Sequence, residues 1–278
     1  MGISINTNVA ASRAGMYLKS NHANLQKSLD RLSSGRRITE PADDAGGLAV
    51  SMKLEHTGKV LQGVSNNISN AISLLQVQDG ALKSVADIVS RIGELEAMYK
   101  DPTKSTSDKA AYDAEFGDLK AQISAIGANT KFNDINVFEG TSNDTRKLSL
   151  DENLSITTGF IDLNDDSVVA GADVAALIGF ASLANTVAKG TAGNVSDALE
   201  EVAGRRATNG GQVRRLQYAL ANAQTQVTNL TAANGRIVDV DIAAESANLA
   251  RQQVLTQASA AMTAQANTSN DVALMLLQ

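Results

Sequence analysis

VSNNISNAISLLQVQDGALKSVADIVSRI, residues 64–92, places Val64, Ile68, Ala71, Leu75, Gln78, Leu82, Val85, Val89 and Ile92 at alternating steps of four and three. A helix turns once in about 3.6 residues, so these side chains share one stripe. A sustained repeat of about 3.5 residues is what two helices need to wrap around each other. A matching stripe lies toward the other end, at Val213, Leu216, Leu220, Ala223, Val227, Leu230 and Ile237. The two seams predict a mainly α chain that folds back on itself, first half against last, as a long antiparallel helical bundle or coiled coil.

Composition agrees with a long helical framework. The chain has 278 residues, 43 % of them hydrophobic, enough for an ordinary core, yet only 3 % are aromatic and none is Trp. Pro41 and Pro102 are the two prolines, which leaves long stretches free of helix breakers. A net charge of −6 argues against binding nucleic acid, which needs Lys and Arg gathered on one surface. Absence of cysteine removes disulfides, thiolate catalysis and the usual structural zinc sites together. The opening Met-Gly-Ile-Ser-Ile-Asn-Thr-Asn has neither the positive nor the apolar region of a cleaved secretory signal, and no apolar run approaches the roughly 20 residues of a membrane-spanning helix.

Residues 8–33 read as a first helix with Leu18, Leu25, Leu29 and Leu32 on a stripe, closed by Ser33-Ser34-Gly35. Glu40-Pro41 forces an extended link, and Asp43-Asp44 supplies a cap for a helix running to about Tyr99, on the order of 80 Å at 1.5 Å per residue. Asp101-Pro102 breaks it, and Tyr112, Phe116, Leu119, Ile123 and Ile126 form a shorter stripe that lies back along it. Residues 129–134 read as the following turn, and Ile135 to about Leu163 as short hairpin strands such as Leu148-Ser149-Leu150 and Leu154-Ser155-Ile156. Residues 164–193 read as a weak helix with loops. Helix returns near Ser196, runs to Ile237, and resumes in a last segment carrying Ile242, Leu249, Val254, Leu255 and Met262. The closing Val272-Ala273-Leu274-Met275-Leu276-Leu277 is strongly apolar, and such an end is normally buried in something else.

Residues with chemical potential are sparse. His22 and His56 stand outside any metal spacing, and the acidic pairs Asp43-Asp44, Asp165-Asp166 and Asp239-x-Asp241 lack the ligands and turn glycine of a calcium loop. Gly46-Gly47 and Gly210-Gly211 lack the strand and the following Lys of a phosphate cradle. With no nucleophile and base to pair, the reading is a non-enzyme without cofactor or metal. The triplets at Asn67 and Asn229 match a glycosylation pattern by chance, since both lie inside helical seams.

Two further runs carry a resemblance. Leu29-Asp30-Arg31-Leu32-Ser33-Ser34-Gly35-Arg36-Arg37-Ile38, followed by Asp43-Asp44-Ala45-Gly46-Gly47-Leu48-Ala49-Val50, resembles the N-terminal signature of bacterial flagellin, as does the opening Ile3-Ser4-Ile5-Asn6-Thr7-Asn8. Arg236-Ile237-Val238-Asp239-Val240-Asp241-Ile242-Ala243 and the closing Ala264-Gln265-Ala266-Asn267 to Leu276-Leu277 resemble its C-terminus. The resemblance covers roughly residues 1–138 and 196–278. Pro41-Ala42 stands where the family commonly has Ala-Lys and stiffens the connector, and Asn270 stands where the tail commonly has proline.

The resemblance implies a minimal flagellin: a structural subunit polymerising into the flagellar filament, secreted by type III export and used for motility. Residues 1–42 and 236–278 would form a terminal helical domain lining the filament channel, 43–140 with 194–235 a long-helix bundle, and 141–193 a short variable insertion. Filament core contacts are expected at Leu18, Leu25, Leu29, Leu32, Leu249, Val254, Leu255, Val272, Leu274, Leu276 and Leu277, and the bundle seam at the residues quoted above. The partners implied are other copies of the chain, the flagellar cap and hook-junction proteins, an export chaperone and the type III apparatus, without nucleic acid or membrane insertion. The filament would lie outside the cell, or in a periplasm as in spirochaetes. Arg91, Glu94 and Leu95 match the family motif for Toll-like receptor 5, with Glu115 on the following helix, although Gly93 replaces a frequent second Arg. A hook-filament junction protein and a non-flagellar coiled-coil adaptor are the competing readings.

Overall fold

The computed structural model describes residues 8–138 and 195–275. Five helices account for most of them: α1 (Val9–Ser34), α2 (Ala45–Tyr99), α3 (Thr106–Asn129), α4 (Val195–Val238) and α5 (Ile242–Met275). Strands β1 (Lys131–Phe132) and β2 (Ile135–Asn136) follow α3. The strands expected at 148–150 and 154–156, and the weak helix of 164–193, lie outside the described residues.

Helix boundaries follow local chemistry. Asn8 caps α1 by accepting from the Ala11 amide at 2.9 Å, and Gly35 closes it in the left-handed conformation at φ 70°. Ser105 and Asp108 form a reciprocal capping box at the start of α3: the Asp108 amide donates to Ser105 Oγ, and the Ser105 amide donates to the Asp108 carboxylate. The hairpin starts earlier than expected from the sequence. Asn133 and Asp134, read as part of a loop ahead of the strands, are themselves the two-residue turn, at φ 52° and 60°. Positive φ at both positions matches the twist of paired strands, and Asn and Asp tolerate it better than other non-glycine residues.

The chain divides into two compact units, one made of residues up to Gly58 together with those from Thr228 on, the other of Lys59–Val227. The divisions fall inside α2 and α4.

In the unit Lys59–Val227, the expected α2 seam is the core. Val64, Ile68, Leu75, Leu82, Val85, Val89 and Ile92 are all buried. Of the α4 seam, Leu216 is buried while Val213, Leu220 and Val227 are half-buried. One cluster joins Val85, Val89, Ile92 and Leu95 of α2 to Phe116 and Ile123 of α3 and to Val195, Ala198 and Val202 of α4. A second packs Val64, Ile68, Ala71, Leu74 and Leu75 against Leu216. Each fully buried aliphatic side chain contributes about 1.5 to 3 kcal/mol, so these clusters carry the stability of the unit. Leu230 is half-buried in the other unit.

In that other unit α1 and α5 pair antiparallel. Asn8 donates to the Ala266 carbonyl at 2.9 Å, Asn21 to Ser259 Oγ at 2.6 Å, and Asn248 to Ser28 Oγ at 3.3 Å.

Candidate functional site

The runs Gly35-Arg36-Arg37-Ile38 and Ile237-Val238-Asp239-Val240 meet as a short antiparallel backbone bridge. The Val240 amide donates to the Gly35 carbonyl at 3.0 Å and the Arg37 amide to the Val238 carbonyl, with Arg36 opposite Asp239. The Arg37 guanidinium adds two bonds to the Ile237 carbonyl, at 2.7 and 3.2 Å. Ile38 and Val238 are buried at this crossing.

The two adjacent carboxylates that follow have different tasks. Asp44 is the cap expected from the sequence, accepting from the Gly47 amide at 2.8 Å. Asp43 is not. It turns back to accept from the Thr39 and Glu40 amides and the Thr39 hydroxyl, and pairs with Lys27 and, at 3.7 Å, with Arg31. Arg31 also faces Glu245 at 3.9 Å, so this cluster ties α1 to the start of both α2 and α5. Asp241 caps α5 through the amides of Ala243 and Ala244.

The Lys27 ammonium, helped by the Thr39 and Glu40 donors and opposed by burial, holds the Asp43 carboxyl well below the usual carboxylate range. A carboxyl depressed by folding stabilises the fold fully above the unfolded value of about 3.9, and that contribution is lost as pH falls toward the depressed folded value. Wild-type stability should therefore decline on acidification below about pH 4. Asp43→Asn should be less stable at neutral pH and show a shallower acid limb. Thermal unfolding across that range, wild type against variant, measures both slopes.

Gly47 is required by the cap. A Cβ there would stand 2.8 Å from Asp44 Cγ and 3.1 Å from Ile38 Cδ1. Gly47→Ala should displace the cap and destabilise the α2 start by about 0.5 to 2 kcal/mol, the usual range for a lost N-cap. The opposite sign, a gain from helix propensity, is the outcome to look for in thermal unfolding, since it would mean that the cap is unimportant.

The α1 and α5 pair buries little of its apolar surface. Leu18, Leu25, Leu32 and Leu249 are half-buried between the helices, whereas Leu29, Val254 and Leu255 are exposed. Met16 (64 %), Tyr17 (61 %), Val254 (65 %) and Met262 (64 %) are more exposed than large apolar side chains usually are. Between the helices lies a groove of about 470 Å³ lined by Ala14, Tyr17, Leu255, Ala258 and Met262. The expected contacts at Val272, Leu274, Leu276 and Leu277 fall on side chains outside those described.

Three of the four residues of the Arg91 motif come together on the surface. Arg91 donates to Glu94 at 2.7 Å and to Glu115 of α3 at 2.9 Å, and the Glu115 bond first, then that to Glu94, raises its guanidinium pKa. Leu95 is not a surface contact. It is fully buried in the cluster with Phe116 and Ile123, because a step of three beyond Ile92 keeps it on the core stripe. Nor is Gly93 on an open helix face: a Cβ there would stand 3.1 Å from Val195 Cγ1, so its absence admits the start of α4.

Two cross-helix pairs carry no sequence motif. Arg206 of α4 grips Asp79 of α2 through two bonds of 2.9 and 3.2 Å. Asn209, buried, donates to the Leu75 carbonyl at 2.9 Å. No local pattern in the sequence signals either pair.

Comparison with known proteins matches residues 5–143 to the bacterial flagellin N-terminal helical region and residues 192–277 to the bacterial flagellin C-terminal helical region. The chain is 34 % identical to a flagellin of Halalkalibacterium halodurans over 274 residues, covering 99 % of each. It is 31 % identical to the flagellar filament 33 kDa core protein of Treponema phagedenis over 284 residues, again covering 99 % of each. A crystal structure of Bacillus cereus flagellin aligns with 61 % of this chain and 94 % of that chain, at 25 % identity and a TM-score of 0.44.

Proposed function

The chain belongs to the bacterial flagellin family and is a structural subunit of the flagellar filament, and on that premise we propose how its surfaces serve assembly. One observation carries the proposal: the apolar side chains left exposed along α1 and α5. Large apolar patches on an isolated chain mark an interaction surface. In a filament these faces are covered by other copies of the chain. Leu18, Leu25, Leu29, Leu32, Leu249, Val254 and Leu255, with the tail residues Val272, Leu274, Leu276 and Leu277, supply that contact. The segments 1–42 and 236–278 line the channel, 43–140 and 194–235 form the surrounding bundle, and 141–193 is the variable insertion.

The other partners follow from this role. The exposed α5 face needs a chaperone before export, the type III apparatus passes the chain, and the cap and hook-junction proteins bound the growing filament, which lies outside the cell. A hook-filament junction protein and a free-standing adaptor are not favoured, since the matched families and relatives are flagellins and filament core proteins. The role is structural, without a catalytic step.

Electron microscopy of purified chain after salting out tests the assembly reading. Open helical filaments are expected; closed oligomers of a few copies would contradict it, because only a heterologous contact that fails to close gives a filament.

The Arg91, Glu94 and Glu115 cluster is the surface we assign to Toll-like receptor 5, with Leu95 supporting it from the core. Arg91→Ala should weaken monomer binding to the receptor ectodomain roughly tenfold or more, as expected for a directed charged contact, with the helical content unchanged. Equal affinity of variant and wild type would remove this surface from the account.

A further inference from the structure

Along α4, from Val202 to Val227, the chain carries Arg205, Arg206, Arg214 and Arg215 and neither Asp nor Glu, in a protein of net charge −6. Arg206 is held by Asp79 at 2.9 Å, and Arg205 lies 4.0 Å from Glu201. Arg214 reaches only the Gln217 side chain, at 3.3 Å, and among the described residues neither it nor Arg215 pairs with a carboxylate. Both are exposed. Tyr218, four residues after Arg214 and three after Arg215, shares their face and is 76 % exposed. Gly211, one turn earlier on the same face, is exposed and has open space where a side chain would stand, so a partner can lie flush against the helix. Tyr and Arg together are the residues that concentrate binding energy at the centre of protein interfaces.

The same unit carries a complementary face on α3. Ala111, Ala114, Gly117, Asp118 and Ala121 are exposed there, small side chains around one carboxylate. Other acids nearby are engaged: Glu94 and Glu115 by Arg91, and Glu96 by Lys100. Asp87 lies in the field of Arg206, and Glu200 is on α4 itself. Asp118 has no ion pair among the described residues, and an Arg side chain can lie across its small neighbours to reach it.

We propose that the α4 face of one copy, Arg214, Arg215 and Tyr218, docks on the α3 face of a second copy, where Asp118 receives the guanidinium charge. This rests on the filament assignment. The two patches differ, so the contact is heterologous and can propagate from copy to copy without closing. Opposite charge fixes the register of the two helices, and the Tyr218 ring covers the alanine and glycine surface beside Asp118.

Charge reversal with rescue tests it. Full-length wild type, Arg214→Glu with Arg215→Glu, Asp118→Arg, and the variant combining all three would each be salted out. The critical concentration for filament growth would be read by sedimentation and electron microscopy, with circular dichroism reporting the monomer fold. Each separate reversal should raise the critical concentration roughly tenfold or more, the scale of placing like charges across an interface. The combined variant should return most of the way to wild type. Separate reversals that assemble like wild type, or a combined variant no better than they are, would overturn this contact alone. A wild-type chain that forms no filament would overturn the filament assignment and the contact with it.

Discussion

Replacing Val254 and Met262 by Asp is expected to abolish filament growth while leaving a helical monomer. Both side chains are about two-thirds exposed on α5, so neither substitution removes packing within the chain. In an assembled filament the same positions become desolvated, and a carboxylate buried there without a partner costs several kcal/mol even after relaxation. Every subunit carries both changes, so the critical concentration should rise at least about a hundredfold, taking 1.4 kcal/mol per tenfold. Sedimentation and electron microscopy read assembly, and circular dichroism reads helix content. Deleting residues 272–278 should act in the same direction. Filaments of ordinary length from the Asp variant would show that this face is not the subunit contact.

The largest expected loss of stability lies in the unit Lys59–Val227. Phe116 is fully buried between Ile92 and Leu95 of α2 and Val195, Ala198 and Val202 of α4. Phe116→Ala removes most of a ring from that cluster and leaves a cavity, a change that usually costs about 3 to 5 kcal/mol. Urea unfolding followed through amide protection of α2 and α3 should report it, with α1 and α5 unaffected. Tyr218→Ala, at an exposed position, should change stability by no more than about 0.5 kcal/mol and is the natural control. A Phe116→Ala chain as stable as wild type would mean that the cluster does not hold the unit together.

The helices were legible because their limits are written locally. Gly35 and the Asp101-Pro102 break fell where expected, and the three and four step spacing identified the buried stripe of α2 residue by residue. Leu95 shows how a motif can mislead. It lies in a run that resembles a receptor-binding motif, yet its step of three from Ile92 assigns it to the core. Spacing reports which way a side chain points, and the motif did not. Asp43 and Asp44 are adjacent and alike in sequence, and their tasks separate only through the reversal of the chain at residues 40–43, where the Asp43 amide bonds back to Glu40. The grip of Arg206 on Asp79, 127 residues away, depends on the relative rotation of two helices, which no local pattern encodes.

The bridge between Arg37 and Ile237 joins residues 200 positions apart. Closing a loop of that length is mainly a problem of search: each doubling of length adds only about 0.6 kcal/mol of entropy, but the partners must both be present before the contact can form. During synthesis, which makes the N-terminal part first, the run containing Gly35 and Arg37 therefore remains an open half-joint. Only when the run containing Val238 and Val240 has also appeared can the joint shut, which makes its closure a timer reporting that almost the whole molecule has arrived.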